Sequence, residues 1–360
     1  AEVGGAAGGD AVLVQDDRSR TLGTFHYSSS SQIALRQLSA TAEPIDARFF
    51  ERRLSEALAY RNRVVRDSDA YRLVFSEADS LPGLIVDRYG SAVTLQTQTQ
   101  GMDRAKLTIV EVLRNLLNPS VIVSRNDAAV RRHEQLPQET VVEAGEWTGA
   151  VQVGMNRLSW SVDLPHGQKT GIYLDQRENY GAVARHAHGQ ALDCFTSTGG
   201  FAIHMARTCD SVEAVDSSAQ ALSTAAGNAE HNGITNIRWR EADAFDLLAA
   251  HARAGRRFNT VVLDPPAFAK ARNAVEGALR GYRDINYRAL RILEPGGVLA
   301  TCSCSHHVSE ADLLGVVAAA AMDAKRRLRV LERRTQASDH PILLSVPETM
   351  YLKCLIFEAL

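Results

Sequence analysis

The segment from Thr301 to His307, TCSCSHH, places two thiols and two imidazoles close together in the sequence. A thiolate is a nucleophile and a metal ligand, whereas a neutral Cys is often a small buried residue. Structural zinc sites usually take four ligands from two separated pairs, and the cysteines at 194 and 209 stand alone. The segment therefore favours either a nucleophile or the buried end of a strand over a metal site.

A second set of reactive side chains follows four apolar segments in the C-terminal half. Asp193 closes ALD, Asp216 closes SVEAVD, Asp243 lies in EADAF, and Asp264 follows VVL. Helical patterns separate these segments, and alternating strands and helices predict a parallel sheet whose carboxyl ends form a ligand site. One such Asp is equally well explained as a helix N-cap. Four in order indicate a nucleoside site, with S-adenosylmethionine (SAM) as the predicted ligand.

Each strand end suggests its own contact with the nucleoside. The pair Gly199-Gly200 lets the backbone turn tightly beside a ligand, although no G-x-G-x-x-G fingerprint is present. Asp216 is expected to accept hydrogen bonds from the ribose hydroxyls. Asp243 is expected to bind the exocyclic amine of the base, with the amide of Ala244 facing a ring nitrogen.

Composition sets limits on the class of protein. The chain has 360 residues, 45% hydrophobic and 23% charged, which predicts two or three globular domains. The net charge of −2 argues against binding nucleic acid by bulk charge. The five cysteines are too few and scattered for a disulfide framework, no apolar run is long enough to span a bilayer, and the start AEVGGAAGGD lacks the pattern of a signal peptide. We therefore expect a cytoplasmic protein that is not inserted in a membrane.

The elements that would position these residues change character along the chain. Residues 10–38 read as short strands and residues 44–65 as a helix, and a mixture of strands and helices continues to Val162. From Gln190 onward strands alternate with helices. The predicted fold class is α/β, and the predicted domains are residues 1–43, 44–165 and 166–360.

Several motifs together resemble one enzyme family. KTGIYLDQRENY, DCFTSTGGF, AVDSS, VVLDPPAFAK and CSCSHH are similar to class I SAM-dependent methyltransferases of large-subunit ribosomal RNA, and more narrowly to the rRNA cytosine-5-methyltransferase I family. The segments around GDAVLVQDD and LPGLIVDRYG resemble that family's N-terminal PUA domain and its middle domain. The resemblance implies a PUA-like RNA-binding β-barrel, an α+β middle domain and a Rossmann-like methyltransferase domain. The family's first PUA strand has no counterpart here, so the barrel is expected to be incomplete.

The resemblance and the four Asp residues at the strand ends both imply a SAM site, and the product of SAM after methyl transfer is S-adenosylhomocysteine (SAH). Ser197 stands where the family more often has Tyr, which leaves the contacts of that turn open. The predicted cofactor-binding residues are Tyr173, Gln176, Arg177, Asp193, Phe195, Thr198, Gly199, Asp216, Ser217, Asp243, Ala244, Asp264 and Pro265.

The same resemblance gives TCSCSHH a chemical role. Carbon 5 of cytosine is a weak nucleophile, and a thiolate that adds to carbon 6 activates it, which is covalent catalysis. Residues two apart on a strand share a face, so periodicity does not separate Cys302 from Cys304. The match to the family's SCS implies that Cys304 is the nucleophile and that Cys302 is a buried strand residue. Asp264 is the predicted acid near N3 of the base.

Three other activities remain open at this stage. The motif Asp264-Pro265-Pro266 followed by Phe268 is also typical of methyltransferases that act on an exocyclic amine of guanine or adenine. A small-molecule methyltransferase and a non-catalytic RNA-binding factor are the remaining alternatives. No metal is expected.

The expected partner is large-subunit ribosomal RNA, and a homodimer is left open. A target base must be unstacked before it reaches such a site, so Phe268 is predicted to stack on it. Lys270 and Arg272 are predicted to contact the RNA, and Arg131 is a further candidate for a phosphate contact.

Overall fold

The computed structural model describes residues 4–167, 170–269 and 271–360, without the side chain of Arg272. It divides into two compact units. The first consists of Ala1–Leu174 with Ser338–Thr349, and the second consists of Asp175–Ala337 with Met350–Leu360. Lys270 therefore lies outside the described residues, and the three predicted domain ranges stay predictions.

The first unit begins with three antiparallel strands, as the N-terminal pattern predicts. They pair in the order β1-β2-β3. Their bounds are β1 (Ala11–Gln15), β2 (Thr21–Tyr27) and β3 (Leu35–Ser39). The strands are therefore confirmed, while a PUA-like barrel remains an expectation.

Among the residues that the structure describes, a five-stranded sheet, three α-helices and a hairpin follow in this unit. Its strand order is β4-β5-β6-β7-β8, with only β6 and β7 parallel. The strands are β4 (Ala70–Phe75), β5 (Leu84–Tyr89), β6 (Ala92–Thr97), β7 (Val121–Asn126) and β8 (Glu139–Gly145), the helices are α1 (Ala47–Val64), α2 (Gln100–Arg104) and α3 (Lys106–Leu117), and the hairpin is β9 (Val151–Met155) with β10 (Leu158–Val162). The apolar side of α1, including Phe49 and Leu54, packs into the core of this sheet.

The second unit is built around a seven-stranded sheet with the order β13-β12-β11-β14-β15-β17-β16. All neighbouring strands are parallel except that β17 runs antiparallel to both β15 and β16. The strands are β11 (Gln190–Cys194), β12 (Ser211–Asp216), β13 (Ile237–Glu241), β14 (Phe258–Leu263), β15 (Leu293–Ser303), β16 (Leu328–Arg334) and β17 (Lys353–Ala359). The predicted α/β sheet is thus confirmed.

Helices connect these strands, and polar caps fix where three of them begin. Ser218, Asp243 and Ser309 each accept a backbone hydrogen bond as the N-cap of the helix that follows. The helices are α4 (Arg177–His186), α5 (Gly200–Met205), α6 (Ala219–His231), α7 (Ala244–Arg253), α8 (Val275–Ile292) and α9 (Glu310–Asp323). Among the described residues no helix combines the length and the apolar character needed to cross a membrane.

The strand order reverses between β11 and β14, which are neighbours although two strands separate them in the sequence. In open α/β sheets a crevice forms at such a reversal, outside the carboxyl ends of the strands. Asp193 and Asp264 lie at the ends of these two strands, so the fold places them beside that crevice.

Candidate active site

Three carboxylates meet at the carboxyl ends of adjacent strands. Asp193 on β11 lies between Asp216 at the end of β12 and Asp264 directly after β14. Asp193 is fully buried, and its Oδ2 accepts hydrogen bonds from Thr196 Oγ1 at 2.6 Å and from the amide of Ala202 at 2.9 Å. The pKa of Asp193 is raised to about 7, mainly by burial and also by the negative charges of Asp264 and Asp216, while the two hydrogen bonds act in the opposite direction.

This cluster fits a cationic ligand. Asp193 Oδ1 is buried, and it has no hydrogen-bond partner among the residues that the structure describes. A buried carboxylate oxygen that lacks a partner is costly, and a positive charge or a donor placed nearby would remove that cost. SAM carries a sulfonium and an ammonium group, so the chemistry of the predicted cofactor matches the charge of the site.

The turn after β11 is shaped by Gly199 and tied to Asp216. Gly199 has φ +90°, a conformation that L side chains rarely adopt. Asp216 accepts hydrogen bonds from the amide of Ser197 at 2.9 Å through Oδ2 and from the amide of Ser218 at 3.0 Å through Oδ1. Position 197 therefore contributes its backbone to the turn. The carboxylate of Asp216 is half-buried, and its predicted ribose contact would use the second lone pairs of these oxygens.

Asp243 is the N-cap of α7. Its Oδ1 accepts hydrogen bonds from the amides of Phe245 at 2.8 Å and Asp246 at 3.1 Å. The helix-cap explanation weighed at the sequence level is therefore correct for this oxygen. The side chain is exposed, and a contact with a ligand amine would fall to Oδ2.

The other predicted cofactor residues differ in position and exposure. Tyr173 belongs to the first unit, whereas the rest belong to the second. Phe195 has φ +66° and packs half-buried on the core, and the carbonyl of Thr198 accepts a hydrogen bond from Asn228 Nδ2 at 3.4 Å. Arg177, Ala244 and Pro265 are buried, Thr198 is half-buried, and Ser217 is exposed.

Gln176, predicted to bind the cofactor, forms a hydrogen bond to the predicted acid. Its Nε2 donates to Asp264 Oδ2 at 3.0 Å. Asn179 Nδ2 donates to Gln176 Oε1 at 2.7 Å and to the carbonyl of Thr335 at 3.0 Å, while Arg334 Nε donates to Asn179 Oδ1 at 2.9 Å. Gln176 is fully buried, so these contacts fix the direction of its amide.

The two candidate cysteines have different surroundings. Cys302 is fully buried in β15 directly opposite Cys354 of β17, and burial raises its pKa well above the usual range. The strand ends at Ser303, and Cys304 follows it half-buried. Because Cys194 and Cys209 are buried as well, Cys304 is the one cysteine of the five that is not buried. A buried thiol with a raised pKa is a poor nucleophile, so exposure favours Cys304.

Ser305 joins the loop that carries Asp264 to the loop that carries Cys304. Its Oγ accepts a hydrogen bond from the amide of Ala269 at 3.3 Å and lies 3.2 Å from the hydroxyl of Tyr282. The predicted acid and the predicted nucleophile are thus held on two connected loops after adjacent strands.

Phe268, the predicted stacking residue, lies against α8. Its ring centroid is 4.7 Å from that of Tyr282 and 6.2 Å from that of Phe245, and Gly281 leaves the space that the ring occupies. The ring is half-buried. It therefore has a packing role, and its stacking on a base stays a prediction.

Sequence reasoning missed a buried cation beside these loops. Lys353 begins β17 and is 3% exposed, and its Nζ donates to the carbonyls of Ser305 at 2.7 Å and Tyr351 at 2.8 Å. Burial lowers the pKa of Lys353 to about 8. The signal was a single Lys within the otherwise apolar strand YLKCLIF, because charged residues are rarely buried without a specific partner.

Within the described ranges, no group of three or more His, Cys, Asp or Glu side chains is placed to hold a metal ion.

Arg131 is fully buried, and its guanidinium donates to Asp103 at 2.8 Å and to the carbonyl of Pro137 at 2.7 Å. The prediction of a phosphate contact at Arg131 is therefore wrong, because the guanidinium is buried inside the first unit.

Comparison with known proteins agrees with this geometry. Residues 185–340 match the model of a family described as a methyltransferase domain. The chain is 41% identical over 357 residues to the ribosomal RNA large subunit methyltransferase I of Shewanella denitrificans, with 97% of this chain and 90% of that protein covered. It is 40% identical over 356 residues to the protein of that name from Pseudoalteromonas translucida, with the same coverage.

Solved structures share the fold at lower identity. The structure of SMU.776, assigned as a methyltransferase and complexed with SAH, superposes with a TM-score of 0.85 at 19% identity, over 98% of this chain and 92% of that one. A protein assigned as a SAM-dependent methyltransferase from Streptococcus mutans gives a TM-score of 0.84 at 19% identity and the same coverage. The chain belongs to the ribosomal RNA large subunit methyltransferase I family, which confirms the predictions of a methyltransferase and of SAM as its cofactor.

Proposed function

We propose that this protein transfers the methyl group of SAM to carbon 5 of a cytosine in large-subunit ribosomal RNA. Cys304 is the nucleophile and Asp264 is the acid at N3 of the base. The observation that carries the proposal is that Cys304, the cysteine that is not buried, lies on a loop that Ser305 joins to the Asp264 loop. Relatives that match nearly the whole chain are named ribosomal RNA large subunit methyltransferase I, which supports large-subunit rRNA as the substrate.

Each residue has a defined part in the chemistry. The thiolate of Cys304 adds to carbon 6 of the cytosine, the 5,6 double bond becomes a 4,5 double bond, and N3 takes a proton from Asp264, which leaves carbon 5 as the nucleophilic carbon of an enamine. Bound SAM supplies the electrophilic methyl group. After carbon 5 has formed its bond to this methyl group, a base removes the proton of carbon 5, the bond between carbon 6 and the Cys304 sulfur breaks, and N3 returns its proton to Asp264, so that the thiolate and the acid are both restored.

The hydrogen bond from Gln176 determines which oxygen of Asp264 is the acid. Nε2 is only a donor, so Asp264 Oδ2 must be an acceptor. This hydrogen bond favours a proton on Oδ1, because the carbonyl oxygen of a carboxylic acid is a better acceptor than its hydroxyl oxygen, and Oδ1 is the oxygen that would serve N3.

The RNA contacts and the cell compartment are further parts of the proposal. Phe268, Lys270 and Arg272 would contact the nucleotides around the target, and a PUA-like N-terminal domain would add contacts elsewhere. The middle domain would lie between these two parts in the sequence. We place the protein in the cytoplasm, where ribosomal RNA is processed, and a homodimer stays a prediction.

The test is the identity of the product. The protein is incubated with SAM and unmodified large-subunit rRNA, and the RNA is digested to nucleosides for mass spectrometry. The proposal expects 5-methylcytidine, formed by the wild type and not by Cys304→Ala. Formation of 5-methylcytidine by Cys304→Ala at the wild-type rate would rule out the covalent route.

A second candidate keeps the fold and methylates an exocyclic amine of guanine or adenine. The observation that favours it is the hydrogen bond from Gln176, because an Asp264 oxygen held as an acceptor also suits a substrate NH₂ group. The same digestion distinguishes the two, since this candidate yields a methylated purine and is indifferent to Cys304→Ala.

A further inference from the structure

Lys353 is a buried charge whose place in the fold is fixed by two backbone carbonyls. Its Nζ donates to the carbonyl of Ser305, the residue after Cys304, and to the carbonyl of Tyr351. The antiparallel pairing of β15 and β17 sets Lys353 opposite Ser303, the residue before Cys304. The ammonium group is therefore held at the loop that contains Cys304 by contacts on both sides of that residue.

The burial of a charged ammonium group at this position has an energetic cost that other groups must offset. Burying a charged Lys is costly unless nearby groups favour the charged form. Two carbonyl oxygens satisfy two of its three N–H groups, and both of these partners are uncharged. The charges that act on it are those of Cys304 and Asp312, and both favour its protonated form.

We propose that Lys353 is a positioning residue for the nucleophile, and that its buried ammonium group stabilises the thiolate of Cys304. The inference rests on the proposed function for the role of the thiolate. A positive charge in a place with little water acts strongly on a neighbouring thiol, because solvent screens it poorly. Two of its N–H groups are held by backbone carbonyls, and the role proposed for it is exerted through Cys304.

Other titratable groups surround the same loop. Burial raises the pKa of Tyr282 of α8, and the charge of Cys304 also raises it. Partial burial lowers the pKa of His306, and the positive charges of Lys353 and His307 lower it further. His306 is therefore neutral at pH 7, and Asp312 partly offsets Lys353. Among these groups Lys353 is the buried cation at neutral pH.

The test uses the thiol itself and needs neither RNA nor SAM. Cys304 is the cysteine that is not buried, so iodoacetamide will modify it selectively in the folded protein, and mass spectrometry of the peptide locates the label. The rate is measured from pH 6 to pH 10 for the wild type, Lys353→Met and the control Lys325→Met. The control removes one positive charge at an exposed residue elsewhere in the second unit.

We expect the wild-type rate to rise with a midpoint below about pH 8.5, the value of an unperturbed thiol. Lys353→Met raises the midpoint by about one unit or more, which lowers the rate at pH 7 roughly tenfold. Lys325→Met leaves it unchanged. A wild-type midpoint at or above about 8.5 overturns the proposal without any variant, and so does a Lys353→Met profile that matches the control.

Failure of the proposed function is recognised separately. If the alkylation midpoint shifts as expected but the RNA product is a methylated purine, the charge effect stands and the cytosine reaction does not. Misfolding of Lys353→Met would expose the four buried thiols. It would therefore be recognised by labelling of more than one cysteine. The wild-type midpoint alone then decides the proposal.

Discussion

Gln176 Nε2 donates to Asp264 Oδ2 at 3.0 Å, and the direction of this hydrogen bond is imposed from outside the pair. Arg334 Nε is only a donor and the carbonyl of Thr335 is only an acceptor, so Asn179 must place Oδ1 toward the first and Nδ2 toward the second. Gln176 must then face Asn179 with Oε1. A chain of three polar side chains thus delivers a donor to Asp264.

Replacing Gln176 by Glu tests this arrangement. The variant replaces the donor by a carboxyl group beside Asp264, so Asp264 Oδ2 receives no hydrogen bond from this position once the introduced Glu is ionised. We expect kcat to fall about 10- to 100-fold, which is part of the roughly 100- to 10,000-fold that general acid catalysis contributes, with an altered pH profile and unchanged affinity for SAM. Methyl transfer at several pH values and equilibrium SAM binding measure both.

The control for this variant is Gln190→Glu, which adds the same charge at the exposed start of β11. It should leave kcat unchanged. If Gln176→Glu instead weakens SAM binding and spares kcat, the original assignment of Gln176 to the cofactor site is supported and its role toward Asp264 is not.

A matched pair of substitutions separates the two cysteines. Cys304→Ala removes the proposed nucleophile, and we expect 5-methylcytidine formation to fall at least about a thousandfold. Cys302→Ala removes a buried thiol from β15, which costs about 1 kcal/mol of stability and leaves the rate nearly unchanged. Product formation and thermal unfolding are measured on both variants. The reverse order of rates would assign the nucleophile to Cys302.

Asp193 is expected to make stability depend on pH. Its pKa is raised to about 7 in the folded chain, while an unfolded Asp titrates near 4. Between these values the folded state holds a proton that the unfolded state releases, so stability falls as pH rises from about 4 to about 7 and stays low above that. The whole effect is on the order of 4 kcal/mol, and denaturant unfolding at pH 5 and pH 8 measures it.

Asp193→Asn is the control for that measurement. The amide is neutral at both pH values, so the variant should be more stable than the wild type at pH 8 and should lose this part of the pH dependence. Because it also removes a negative charge from the cluster with Asp216 and Asp264, its affinity for SAM should fall at least about tenfold. Equal pH dependence in both proteins would contradict the raised pKa.

The fold was predictable where local rules and burial agree. Ser218 and Ser309 stand before helical patterns as N-caps, and both begin helices in the structure. The apolar segments that end at Asp193, Asp216 and Leu263 are buried strands whose order along the chain indicates the parallel sheet. The last strand, β17, can also be expected as a strand from its apolar sequence. No periodicity shows its antiparallel direction or its place between β15 and β16.

The site was predictable at the level of strand ends and less so for individual contacts. Asp243 was read as a ligand contact, yet one of its oxygens caps α7, because the same residue type suits both purposes. The cofactor role predicted for Gln176 stays a prediction, and its hydrogen bond to Asp264 could not be foreseen because it joins residues far apart in the sequence. Lys353 was missed because the pairing of β17 with β15 brings it to Cys304. Long-range pairing of this kind leaves no local pattern.

The turn after β11 yields the last prediction. Gly199 has φ +90°, and a Cβ there would lie 2.9 Å from Ile203 Cδ1. Gly199→Ala should therefore cost about 1–3 kcal/mol of stability and weaken SAM binding, since the turn also holds Asp216 through Ser197. Gly181→Ala in α4 is the control, because no atom lies within 4 Å of its added Cβ and Ala favours a helix by about 0.5–1 kcal/mol. Opposite changes in denaturant midpoint are expected, and a Gly199→Ala variant as stable as the control would show that the turn tolerates a side chain.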